Sequence, residues 1–235
     1  MSIPAVGTVD ATASIPTERA LSLPAPLVRA LLAGQSVHVR RLLRKDPPDQ
    51  DEAEPHPFVW SRVEQVGRWF HLMSDPPHAL GMFTATCPLG DANTHCWIRE
   101  PVTRSGSYLQ YATTHQTSSL LWPPAWTRDP RPAVAMPRWA SRLTVALTDV
   151  QLVRLQDLSD LQARATGVWA DDAGWHEPRH LGRRRAAPAW PTAAAAFLAE
   201  WDARHRYPPQ QSAANPWVWA VTLASVPREP RPTRR

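Results

Sequence analysis

The sequence predicts an α+β fold: a small mixed β-barrel with two or three short helices and long proline-rich loops. Three observations lead there. Proline outnumbers glycine 26 to nine, which argues against a mostly helical chain and for many loops. Period-two apolar segments recur, and each is short. The helical stretches are few, and each carries its own start and stop signals.

The elements follow in order. Residues 1–19 are small, aperiodic and proline-containing, and read as a disordered tail. Leu21-Ser22-Leu23 alternates like a short strand. Pro24 and Pro26 open a helix over residues 27–33, with Leu27, Leu31 and Leu32 on one side and Gly34 at its stop. "QSVHVRR" then reads as a strand with Val37, Val39 and Arg41 on one side. Residues 44–57 are acidic and proline-rich, hence a loop. "FVW" and "WFHL" within residues 58–72 read as two short strands, a hairpin with Gly67 near its bend. A loop, "SDPPHALGM", precedes strands at "CWIRE" and "YLQYA". Leu143, Val145 and Leu147 alternate with Thr144, Ala146 and Thr148, and Asp149 interrupts this strand before residues 150–155. Ser159 is an N-cap for a short helix over residues 161–166, stopped by Gly167. Residues 170–191 read as a charged loop. Thr192 caps "AAAAFLAEWDARH", a helix with Phe197, Leu198 and Trp201 on its inner face. Asn215-Pro216 turns the chain into a last strand, "WVWAVTL". The expected division is a tail over 1–19, one barrel domain over 20–225 and a basic tail over 226–235.

Composition sets limits on function. An apolar content of 43% supports a real core. Lys45 is the one lysine among 26 cations, so the positive charge is carried by planar guanidinium forks suited to phosphates and base edges. The net charge is +5. Residues 1–137 hold 12 cations and 12 acids, and residues 138–235 hold 14 and nine, so the excess lies in the second part. It concentrates in Arg183 to Arg185 and in Arg228, Arg231, Arg234 and Arg235. That bias permits nucleic-acid contact, although solvated loops explain it as well. Cys87 and Cys96 are too few for a disulfide framework. With no membrane-length apolar run and no signal-peptide pattern, the expectation is a cytoplasmic protein with reduced thiols and no membrane partner.

The blocks "LLAGQSVHVRR", "CPLG", "CWIRE", "MPRWASRLTV", "DVQLVRLQDLS", "FLAEWDARH" and "NPWVWAVTL" occur here in an order that resembles ASCH-domain proteins of the phage- and prophage-associated type. The resemblance covers about residues 21–224. It implies a PUA-like barrel and a binding module for RNA or a modified nucleoside, held in a cleft between the first helix and the barrel. One branch of that family consists of amidohydrolases acting on acetylated cytidine. They use a lysine and a threonine after the first helix and a glutamate on a later strand. In this chain Ser36 stands at the lysine position and Val39 at the threonine position, while Glu100 keeps the glutamate's place. Lys45 is nine residues beyond Ser36 and is a poor substitute. A divergent amidohydrolase acting on an acylated nucleoside or small amide is therefore the alternative, with Glu100 its one catalytic candidate. A role in phage morphogenesis, a label some relatives carry, has no residue here to support it.

The candidate ligand-binding residues are Arg40, Arg99, Glu100, Arg138, Trp139 and Arg142. Glu100 with Arg40 and Arg99 would line the barrel mouth, the acid accepting from an exocyclic amine and the guanidinium donating to a base carbonyl. Trp139 would stack a base while Arg138 and Arg142 meet phosphates. The competing reading places Trp139 in the core with solvated arginines beside it, the commoner fate of a single tryptophan before a strand. Cys87, His95, Cys96, His176 and His180 match no zinc template, so no metal is expected. Ser36 and His38 lack the orienting acid of a triad. No glycine-rich phosphate loop is present, and no cofactor is expected.

Overall fold

The computed structural model describes residues 18–43, 59–63, 68–72, 83–178 and 188–227, with the backbone alone for 59–63, 68–72 and 83–84. In chain order the elements are β1 (Arg19–Ser22), α1 (Ala25–Leu32), β2 (Val37–Leu42), β3 (Val59–Val63), β4 (Arg68–Leu72), β5 (Phe83–Ala85), β6 (His95–Arg99), β7 (Val102–Ser105), β8 (Tyr108–Tyr111), β9 (Gln116–Leu121), β10 (Thr144–Arg154), α2 (Asp160–Arg164), β11 (Trp169–Asp171), β12 (Gly174–His176), α3 (Ala193–Arg204) and β13 (Trp217–Val226). The fold is α+β. Among the described residues its sheets do not close into a barrel: the main sheet runs β1-β6-β10-β13-β2, and three smaller sheets run β3-β4-β5, β7-β8-β9 and β11-β12.

Alternation decides which side of the main sheet each residue faces. Val37 and Val39, Cys96 and Ile98, Val145 and Leu147, and Val221 and Leu223 all join one core with Leu27, Val28 and Leu31 of α1. β10 would lose this phase over its 11 residues without a correction. Pairing with β13 passes from Leu147↔Leu223 to Asp149↔Thr222, so Thr148 is an extra residue in a bulge. Val150 and Leu152 then return to the same core. Thus Asp149 does not break the strand. Leu147 is wholly buried, and its truncation to alanine would cost about 2–5 kcal/mol.

The helices start and stop where their local chemistry dictates. Pro24 precedes α1, Pro26 sits in its first turn, and Gly34 takes φ +77° just past its end. Ser159 accepts from the Gln162 amide, and Gln162 reaches back to the Ser159 amide, a closed capping box for α2. Thr192 Oγ1 accepts from the Ala195 amide at 3.1 Å to start α3. The inner face of α3 is Ala193, Ala196, Glu200 and Trp201; Phe197 and Leu198 are only half-buried beside it.

Other boundaries also differ from expectation. Glu18 and Arg19 are not part of a tail: β1 pairs in parallel with β6 from Arg19↔Cys96 onward. Val226 still belongs to β13. Arg41 is exposed, although its alternation partners Val37 and Val39 are buried. β7 and β9, too polar to signal strands, flank β8 and cover Val102, Leu109, Tyr111 and Trp122 in a second core. Part of the expected 170–191 loop is the hairpin β11–β12. The hairpin of β3 and β4 is antiparallel as expected. Its bend at Gly67, the 44–57 loop, Arg183 to Arg185 and the C-terminal arginines lie outside the described residues. No described helix is long and apolar enough to cross a membrane.

Candidate ligand-binding site

The six candidate residues do not form one pocket. Glu100 follows β6 and is 1% exposed. Arg142 grips it with both arms of its fork, Nε on Oε1 at 2.9 Å and Nη2 on Oε2 at 2.8 Å. The Thr113 hydroxyl donates to the same carboxylate. Arg142 also donates to Gln116 Oε1 at 2.7 Å and Thr114 Oγ1 at 3.0 Å, and its guanidinium lies 3.9 Å over the Tyr111 ring. Through Thr113, Thr114, Gln116 and Tyr111 this pair joins the main sheet to the β7-β8-β9 sheet. A buried carboxylate held on both oxygens is a structural node, and removing one partner would cost about 3–5 kcal/mol.

Arg138 is likewise engaged. It donates through Nε to Glu18 at 2.5 Å and through Nη2 to Thr144 Oγ1 at 3.2 Å, and it lies 5.9 Å over the Trp97 ring. The expectation that Arg138 and Arg142 are free for phosphates is thus corrected: an acid already occupies each. Trp139 is 38% exposed in a short 3-10 turn, Arg138–Ala140, and stands against Trp126 with centroids 5.5 Å apart. The core reading of Trp139 is therefore wrong: Ala140 fills the buried position beside it. Arg99 lies at the end of β6, with Nη1 near the Val134 carbonyl at 3.5 Å and a buried Nε that has no hydrogen-bond partner among the described residues.

Arg40 belongs to another place. Register settles this. Arg40 pairs with Ala220 of β13, whereas Trp97 of β6 connects through Thr144 to Val226. Six residues along β13 are roughly 20 Å, and Glu100 lies beyond Trp97 in the same direction. Arg40 and Glu100 thus sit at opposite ends of the sheet and cannot line one mouth.

What surrounds Arg40 is a cleft of about 550 Å³ along the outer edge of β2. Ser22, Pro24 and Leu27, at the start of α1, form one side of it; Phe197, Trp201, Arg204 and His205 of α3 and its end form the other. Arg40 shares its face of β2 with His38, by alternation. His38 Nδ1 is 3.1 Å from the Thr222 hydroxyl. Burial, then the neighbouring Arg40 charge, lowers the His38 pKa. Arg40 Nη2 donates to Gln162 Oε1 at 3.3 Å, but its Nε and Nη1 are buried and have no hydrogen-bond partner among the described residues. Burial also lowers the Arg40 pKa, with Asp157 a weaker opposing charge. His205 stacks on Trp201 at 4.0 Å, so a flat aromatic pair stands on the α3 side.

Sequence reasoning found Arg40 but not its neighbours. Trp201 read only as a core residue of the helix. The available signal was the i,i+4 spacing of Trp201 and His205, which puts both rings on one helix face. Thr113, Thr114 and Gln116, which complete the Glu100 node, gave no signal in "ATTHQTSS". Ser36 is exposed and Val39 is buried in the core. Cys87 and Cys96 are buried, and burial raises both thiol pKa values. His176 is bonded to Asp171 and stacked on Trp169. His180 lies outside the described residues. Comparison with family models, with curated proteins and with solved structures finds no match to this chain.

Proposed function

We propose that this chain is an ASCH-like, PUA-like binding module, of the phage- or prophage-associated type, that holds a base of RNA or a modified nucleoside in the β2-edge cleft. One observation carries the reading: the Arg40 guanidinium lines a cleft with two buried nitrogens that have no hydrogen-bond partner among the described residues. A buried, partly unsatisfied cation is costly, and a ligand that supplies acceptor oxygens offsets that cost. A base carbonyl or a phosphate would do so, since the guanidinium offers five donors in a fixed fork. The His205–Trp201 pair gives the other requirement of a base site, a flat aromatic wall. The position beside the start of α1 agrees with the cleft that the ASCH resemblance implies.

The amidohydrolase alternative has less behind it. Val39 is a core residue, Ser36 is exposed, and Glu100 is locked by Arg142 at the far end of the sheet from Arg40. Ser36 and Glu100 do not line the cleft, and Val39, which does, offers neither a nucleophile nor a proton donor.

The test is binding of nucleosides, read by calorimetry, for the wild type and for Arg40→Met. The expected result is at least a tenfold loss in the variant with the fold retained. Absence of wild-type binding at low salt would overturn the reading.

A further inference from the structure

A second surface, outside the cleft, has the makings of a binding site. Trp139 is the one tryptophan among those with described side chains that is exposed, and Val134, five residues before it, is 71% exposed. Trp126 stands against Trp139 at 5.5 Å with an interplanar angle of 32°. The Arg131 guanidinium lies 4.3 Å over Trp126 and is pinned by Nε donating to the Ala135 carbonyl at 2.9 Å.

This surface is held rigid from beneath. Trp122 is buried, meets Trp126 edge-on at 5.1 Å, and donates its indole N–H to the Trp126 carbonyl at 3.1 Å. Arg131 is tied to Val102 by a pair of backbone hydrogen bonds at 2.8 and 3.0 Å. Exposed aromatic area set on buried aromatic area marks a surface fitted to receive a ligand.

Charge identifies the occupant. The segment from Trp126 to Arg142 carries Arg128, Arg131, Arg138 and Arg142 against Asp129 alone. Arg138 and Arg142 are neutralised by Glu18 and Glu100. Asp129 is held by Thr103. No carboxylate among the described residues pairs with Arg99, Arg128 or Arg131, so the patch keeps a positive excess. Arginine beside a solvent-facing indole suits a chain of flat rings joined by phosphates.

We infer that Trp139 and Trp126, with Arg131, Arg128 and Arg99, form a stacking platform for single-stranded nucleic acid, separate from the β2-edge cleft. A base stacks on the exposed Trp139 face while the flanking phosphates meet the arginines that pair with no described carboxylate. The contact is indifferent to sequence, because every base has a ring face.

The probe is a short fluorescent oligothymidylate, titrated at several salt concentrations. Wild type is expected to bind it more tightly than a duplex of equal charge or a polyglutamate peptide. Trp139→Ala should weaken binding roughly tenfold, the loss of one stacked base. Trp139→Phe should retain most of it, and Arg131→Gln should lower the salt slope. A nucleoside without phosphates should titrate Trp139→Ala as it does wild type, which separates the platform from the cleft. Photocrosslinking of a halouracil oligonucleotide, mapped by mass spectrometry, should mark residues 126–139, and it serves even if an alanine variant misfolds. Three results would overturn the inference: unaltered affinity in a folded Trp139→Ala, equal or tighter binding of duplex or polyglutamate, or crosslinks confined to other segments.

Discussion

Glu100 and Arg40 each place a charge in a low-dielectric setting, and the fold handles the two in opposite ways. Glu100 receives both arms of Arg142 and the Thr113 hydroxyl. Arg40 donates one long hydrogen bond from its whole fork among the described residues. The first arrangement joins two sheets and leaves no group to offer. The second has donors to spare beside a cleft. Saturation of hydrogen bonds thus separates a structural ion pair from a binding residue better than charge or burial does.

The largest expected effect lies at the saturated end. Glu100→Ala should lower stability by about 3–5 kcal/mol, because Arg142 is left buried without its acid. Urea unfolding measures this. A loss below about 1 kcal/mol would place Glu100 among the ordinary surface pairs. Arg40→Met should do the reverse, leaving stability unchanged or slightly raised while ligand binding falls, since it removes an unsatisfied cation and keeps the aliphatic stem. A destabilisation similar to that of Glu100→Ala would erase the contrast between the two sites.

A third prediction concerns the packing of α1 against the turn after α2. Gly167 has φ +92°, and a Cβ there would approach Leu27 Cδ2 to 3.3 Å. Leu27 also lines the cleft. Gly167→Ala should cost about 1–3 kcal/mol and perturb binding weakly.

The smallest effects are in pH. His176 is buried, with its two ring nitrogens 2.8 Å from Asp171 Oδ1 and 3.0 Å from the Pro188 carbonyl; the Asp171 hydrogen bond raises its pKa. A raised folded-state pKa stabilises fully below the ordinary histidine value near 6.5, and the contribution is lost as pH rises through the folded value. His38 behaves oppositely. Its pKa is lowered by burial and Arg40, so protonation of the unfolded chain erodes stability as pH falls below about 6.5. Melting curves of His176→Gln should lose the alkaline decline, and those of His38→Gln the acidic one. Unchanged profiles would contradict both assignments.

Much of the frame was legible in residue order. The period-two runs in 37–42, 95–99 and 217–223 and the caps at Ser159 and Thr192 act locally, so they survive folding unchanged. β7 and β9 escaped because sequences such as "VTRS" and "QTSSLL" become strands only through β8 between them. The bulge at Thr148 escaped for a related reason: a one-residue shift in register is set by the partner strand, not by Asp149. Arg40, Glu100 and Arg142 were all visible as candidates. Their division into a satisfied pair and an unsatisfied cation was not, because it depends on Thr113, Gln116, Trp201 and His205, which meet them only across sheet and helix contacts.

The most direct measurement is calorimetric titration of wild type and Arg40→Met with nucleosides, each protein first shown to melt at a comparable temperature. The account predicts a wild-type heat of binding that falls at least tenfold in affinity when Arg40 is replaced, while Glu100→Gln, if still folded, binds as wild type does. Equal binding by wild type and Arg40→Met, or loss of binding in a folded Glu100→Gln alone, would contradict it.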